Sequence, residues 1–240
     1  PRLSFNREQT VKVIQLGASF YPDRGGGEAY VGALAWELQN RKIDVSVVAP
    51  GQVDDSYEYL GLHVERISHR DSREQNLSNL YTGNQDFAIK FGRLLDKVRP
   101  TIVHAHARTN DISSIIAREV KRRNIPLVFT YHIAASTCLR GDLFLWGSRM
   151  CQSGLDLTDC SRCFLQQRGL PRPIADMVAM TPVPMGRMIR KNGWEGDVWT
   201  ALSMRELVSS FHTSLRCFLE QCDHIVTLCD WSRELLIRNG

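Results

Sequence analysis

The sequence predicts an α/β fold: a Rossmann-like, open, mostly parallel, doubly wound sheet. Three observations carry this reading. Short apolar, β-branched runs alternate with segments of helical apolar spacing along most of the 240 residues. Several of the runs, such as Val45-Ser46-Val47-Val48 and Leu127-Val128-Phe129, are nearly continuous, the pattern of strands covered on both faces by helices. A glycine-rich turn, Tyr21-Pro22-Asp23-Arg24-Gly25-Gly26-Gly27-Glu28, joins the first apolar run to the first helical segment.

Taken in order, the first strand is predicted at 12–16. The glycine turn follows, and then a helix at 29–40, with Val31, Leu34, Trp36 and Leu38 as its apolar positions. Glu28 stands near the start of that helix, where a carboxylate suits the helix dipole. Strands are predicted at 45–49 and 62–67, a helix at 85–98, a strand at 101–106, a helix at 111–123 and a strand at 127–132. From about 134 to 199 the alternation breaks, and the chain becomes irregular and rich in Gly, Pro, Cys and Met. A helix at 203–221, a strand at 224–229 and a helix at 231–238 complete the pattern, with Gly240 placed as a C-terminal stop. In open α/β sheets ligands bind at the carboxyl ends of the strands. The glycine turn, His106 and His132 all belong to that edge.

Composition narrows the classes. Hydrophobic residues make up 43% and charged residues 23%, ordinary values for a globular domain with a sizeable core. A net charge of +4 is too weak and dispersed to point to nucleic acid. No apolar run reaches the ~18 residues that span a bilayer. The polar start, Pro1-Arg2-Leu3-Ser4, has no apolar leader region. Seven cysteines, an odd number without a secretory signal, favour a reducing compartment, so a cytoplasmic location is expected.

The glycine turn is a phosphate-binding candidate, because glycines let backbone N–H groups approach an anion and the helix behind them adds partial positive charge. A surface turn is the plain alternative. The known nucleotide fingerprints do not fit. Seven residues separate Gly17 from Gly25, and the second strand ends in Ala49-Pro50-Gly51 without an acid for a ribose, which argues against NAD or FAD. Gly-Glu-Ala stands where a P-loop needs G-K-[ST]. No G-x-S-x-G nucleophile elbow occurs.

Pro22-x-x-Gly25-Gly26-x-Glu28 resembles the P-x-x-G-G-x-E loop of family 4 glycosyltransferases, which have the GT-B fold. Leu34-Ala35-x-Glu37-Leu38 and Asp44-Val45-Ser46-Val47-Val48 are similar to that family's first helix and second strand, with Lys42-Ile43-Asp44-Val45 in place of the usual G-H-E-V. Residues 99–106, Arg-Pro-Thr-Ile-Val-His-Ala-His, resemble its P-D-I-V-H-x-H strand, with Thr101 replacing Asp. Residues 126–132 resemble P-x-V-x-T-x-H, and residues 223–232 the strand that closes the N-terminal half.

The resemblance implies the N-terminal, acceptor-side domain of a retaining transferase that moves a sugar from a nucleotide-sugar donor to a glycan, a lipid-linked sugar or a small molecule. The donor would be bound mainly by a second, C-terminal domain carrying E-x7-E. No glutamate pair has that spacing here, so residues 1–240 are read as a single domain without its partner, inactive alone. His132 matches the family's cleft histidine, with the catalytic role of orienting the transferred sugar and stabilising charge. Gly25, Gly26, Gly27 and Glu28 would face the donor diphosphate, with His106 lining the cleft.

Cys138, Cys151, Cys160 and Cys163 cluster in the 134–199 insertion with one C-x2-C pair. Four thiolates satisfy the ligand count of a structural zinc site and would also suit an iron–sulfur cluster. Disulfides and free thiols are the alternatives. A similar cysteine-bearing insertion occurs in a subset of the same family. Met177, Met180, Met185 and Met188, beside Arg187, Arg190 and Lys191, read as core packing or as a surface for a lipid-linked acceptor, the partner domain or a membrane face. Two other functions compete with transfer: a non-catalytic binding module held by a four-cysteine metal site, and a GT-B-like epimerase.

Overall fold

The structure is a computed structural model that describes residues 11–23, 25–68, 83–151 and 154–239. The N-terminal segment, read above for a leader, lies outside these. Seven strands form one sheet in the order β3-β4-β2-β1-β5-β6-β9. They are β1 (Lys12–Leu16), β2 (Asp44–Gly51), β3 (Asp55–Tyr59), β4 (Leu62–Ser68), β5 (Ile102–Ala105), β6 (Leu127–Tyr131) and β9 (His224–Thr227). All pairings are parallel except β3 with β4 at one edge. The sheet is therefore the Rossmann-like α/β arrangement that the sequence predicts.

Alternate side chains of β1 enter two separate cores. Ile14 and Leu16 pack under α2 (Gln85–Val98), α3 (Ser114–Lys121) and the long helix α8 (Met204–Gln221). Val13 packs with Val31 and Ala35 of α1 (Gly26–Asn40) on the opposite face. The helix ends follow local chemistry. The Asn84 side chain accepts from Phe87 N–H to start α2, and Arg99 ends it in the left-handed region. Ser113 accepts from Ile115 N–H to start α3.

Residues 134–199 depart from the irregular stretch expected. After a short β7–β8 hairpin (Phe144–Leu145 with Arg149–Met150) they form four helices: α4 (Leu157–Gln167), α5 (Arg172–Val178), α6 (Val183–Lys191) and α7 (Asp197–Leu202). Each has 6–11 residues, too few turns for a helical period to stand out. The prolines that suggested loop are helix starters, at Pro171 and Pro173 for α5 and at Pro182 and Pro184 for α6. Gly169, Gly193 and Gly196, all at positive φ, make the breaks between them. Phe164, Leu165, Ala175 and Ala179 from this region bury against Met204, Leu207, Val208 and Phe211 of α8, a third core. The last helix, α9 (Asp230–Arg238), follows β9. Among the described residues no helix is long and apolar enough to cross a membrane.

Candidate functional site

The strand order reverses between β1 and β5. From β1 the chain passes through α1 to β2 on one side, while β5 pairs on the other. This switch point is where an open α/β sheet leaves a crevice at its carboxyl edge. Here it holds a strip of polar side chains on the α1 face: Gln15 of β1, His104 and His106 at the end of β5, and Thr130 and His132 at the end of β6. Period-2 alternation puts them on one surface, since Val103, Ala105, Phe129 and Tyr131 point into the opposite core.

Hydrogen bonds join the strip. His106 Nε2 lies 2.5 Å from Gln15 Oε1, and His106 Nδ1 lies 3.2 Å from His132 Nε2. His104 Nε2 is 2.7 Å from Thr130 Oγ1. Burial, with the charge of His132 as a smaller cause, pushes the His104 pKa down to about 4. Burial, then the neighbouring His104 and His132, pushes His106 to about 2. Burial also lowers His132. All three imidazoles are neutral near pH 7.

Helix α1, which the glycine turn opens, meets this strip through Tyr30. Tyr30, in the first turns of α1, meets the His132 ring edge-on with centroids 4.5 Å apart. Gly25 is the N-cap of α1, and no side chain caps this end. The N–H groups of Gly26, Gly27 and Glu28 fall in the first turn, where no intrahelical acceptor exists. A Cβ built at Gly26 or Gly27 meets nothing within 4 Å. No packing contact in the direction of a side chain therefore demands glycine at those two positions. Gly25 differs, because a Cβ there would meet Glu28 Oε2 at 2.5 Å.

The sequence-predicted residues thus take different places. His132, half-buried, sits at the mouth beside the glycine turn. His106 is only 4% exposed and stands behind His132, covered by it and by Tyr30. The Glu28 carboxylate folds back over Gly25 and accepts from Ser19 Oγ, so it braces the turn. Gln15, Tyr30 and Thr130 are site residues that sequence reasoning missed. Gln15 had one available signal, a polar residue between Ile14 and Leu16 in a strand buried on both sides. Arg108 was missed too. It is 4% exposed, its Nε has no hydrogen-bond partner, and its guanidinium lies 4.4 Å above the Phe211 ring.

A second cluster stands apart from this edge. Cys138, Cys151, Cys160 and Cys163 line one apolar cavity of about 40 Å³, with Leu143, Phe164 and Phe211 among its walls. That space is about the size for a single water and far too small for a sugar. The β7–β8 hairpin brings Cys151 beside Cys138, and α4 presents Cys160 and Cys163 three residues apart on one face. Burial, then the other three thiols, raises the Cys160 pKa; burial also raises Cys163, whose Sγ accepts from Trp146 N–H at 3.2 Å. No disulfide joins the four thiols. Among the described residues no group of three or more His, Cys, Asp or Glu is placed to hold a metal ion. The methionines near α5 and α6 are exposed, from 39% at Met185 to 71% at Met177.

The glycosyltransferase family 4 model matches residues 24–155, more than half of the chain, from the glycine turn through both histidine strands into the cysteine insertion. The chain belongs to glycosyltransferase family 4. Within the family-matched segment lie Gly25, Gly26, Gly27, Tyr30, His106 and His132; Gln15 lies just before it. No curated protein matches this family 4 chain by sequence. Among solved structures it is similar to UDP-N-acetylglucosamine 2-epimerase from Rickettsia bellii, with a TM-score of 0.36 and 14% identity over 78% of this chain and 52% of that one. It is also similar to UDP-GlcNAc 2-epimerase from Methanocaldococcus jannaschii, with a TM-score of 0.35 and 11% identity over 95% of this chain and 81% of that one. The chain thus spans about half the length of the first of these and most of the second. Likenesses this distant carry no functional argument.

Proposed function

We propose that this family 4 domain is the acceptor-side half of a retaining glycosyltransferase that takes its sugar from a nucleotide-sugar donor. One observation carries the reading: Tyr30 holds the first turn of α1 against His132, so the glycine turn and the histidine share one crevice at the switch point. In this reading the open N–H groups of Gly26 and Gly27 meet the leaving diphosphate and stabilise its charge without a bound cation. His132, neutral, hydrogen-bonds a hydroxyl of the transferred sugar and fixes its position relative to the acceptor. Among the described residues no carboxylate bonds to the strip, and Glu28 is engaged by Ser19, which fits front-face transfer without a glycosyl-enzyme intermediate. The acceptor, a glycan, lipid-linked sugar or small metabolite, enters from the carboxyl edge, and a nucleotide-binding domain closes over it.

The test is a donor screen on the full-length natural protein. With the donor that supports transfer, His132→Ala lowers kcat/KM by about 10²-fold or more, the loss expected for a group that orients and stabilises charge. A variant that transfers at the wild-type rate overturns the assignment. Failure of every nucleotide sugar to react supports the non-catalytic binding module.

A further inference from the structure

We propose that Gln15 is a positioning residue which, acting through His106, makes His132 present a bare Nδ1 to the crevice as a hydrogen-bond acceptor. The inference deepens the proposed function and rests on the placement of His132 at the sugar.

Gln15 is fully buried in β1, and its amide Nε2 has no hydrogen-bond partner among the described residues. A buried amide with half its valence unused is costly, and no packing need explains it. What the side chain does make is the contact from Oε1 to His106 Nε2. A carbonyl oxygen can only accept, so the hydrogen in that contact belongs to His106 Nε2. His106 is neutral because of its burial and its two histidine neighbours, and a neutral imidazole carries one N–H. Its Nδ1 is therefore a lone pair. The only hydrogen available to bridge the 3.2 Å to His132 is then on His132 Nε2. His132 is neutral as well, which leaves its Nδ1 without a proton.

This polarity has a chemical consequence. A bare nitrogen accepts from a hydroxyl and repels the oxygen of a phosphate, whereas an N–H would donate to either. The relay thus reserves His132 for a sugar hydroxyl and leaves the diphosphate to the glycine turn. The groups facing the relay are His104, bonded to Thr130, and the ring of Tyr30; none carries a charge that would reverse it.

The experiment is long-range proton–nitrogen NMR of the histidine rings of this chain at pH 7.5, with no sugar added. His106 and His132 are both expected as single Nε2–H tautomers. In Gln15→Leu the acceptor is gone, and the single-tautomer pattern is lost at both rings. A wild-type His132 protonated on Nδ1, or a Gln15→Leu spectrum unchanged at His132, overturns the proposal. Should Gln15→Leu fail to fold, the wild-type spectrum still decides, since Nδ1–H on His132 refutes it. These spectra need no donor, so their failure is separate from the failure of the transferase reading, which the His132→Ala assay measures.

Discussion

Three histidines pack in one polar strip, and none is charged near neutrality. His104 is held down to about pKa 4 by burial and His106 to about 2, and His212, buried in α8 between Phe211 and Thr213, also falls to about 4. In the unfolded chain each titrates near 6.5. Between those values the unfolded chain binds protons that the native chain refuses, so stability is greatest above about pH 6.5 and falls as the pH drops. One pKa unit corresponds to about 1.4 kcal/mol, so His104 alone contributes a loss of up to about 3 kcal/mol by pH 4. Urea melts at pH 7.5, 6.0 and 5.0 check this. The midpoint is expected to fall at each step, and a midpoint constant across the series contradicts neutral burial. Arg108 is the other unusual residue. Among the described residues its buried Nε has no hydrogen-bond partner, and its guanidinium lies over the face of Phe211. Burial lowers its pKa to about 10, so it stays charged.

At the scale of elements, the helices of residues 157–202 are held by close approach to α8. A Cβ at Gly186 of α6 would meet the Glu206 Cβ at 2.8 Å and the Ser203 Cα at 3.2 Å. Next to this contact Arg190 Nη1 donates to Glu206 Oε2 at 2.8 Å. Gly186→Leu is expected to push α6 off α8 and cost about 1–3 kcal/mol, the usual penalty of overpacking. A thermal melt matching that of the wild type contradicts the close packing. The same region shows where sequence reading stops. Residues 12–16 and 85–98 read directly as β1 and α2, because each carries a full period of its kind. The helices between Leu157 and Leu202 were hidden, because their apolar faces are one or two turns long and Pro and Gly punctuate every joint. β3 was hidden for another reason: Asp-Ser-Tyr-Glu-Tyr is a short edge strand in which only Tyr57 and Tyr59 pack against the core, too few positions to set a period. In the site, His106 and His132 were legible because they end apolar strands. Gln15 and Tyr30 were not, since their contacts depend on the register of Gln15 opposite His104 and on where α1 settles over the sheet.

For the whole molecule, the two faces of the sheet are dressed unequally. α2, α3 and α8 fill one face, and α1 stands on the other above β1 and β2. At the carboxyl edge near β5 and β6, Tyr30 of α1 meets His106 and His132, and the thiol-lined cavity lies elsewhere. β9 closes the sequence of strands at the far side. Its residues are largely exposed on both faces, with Ile225 and Val226 each 40% accessible and Leu228 beyond them 58%.

An outermost strand with apolar side chains and free backbone hydrogen-bonding groups is a template on which a second copy can add its own strand. The domain should therefore be colloidally restless when concentrated, growing end to end through β9 before it unfolds. Dynamic light scattering of a concentration series would show rising particle size for the wild type and a steady one for Val226→Lys, which puts a charge on that edge. Equal growth in both would place the sticky surface elsewhere.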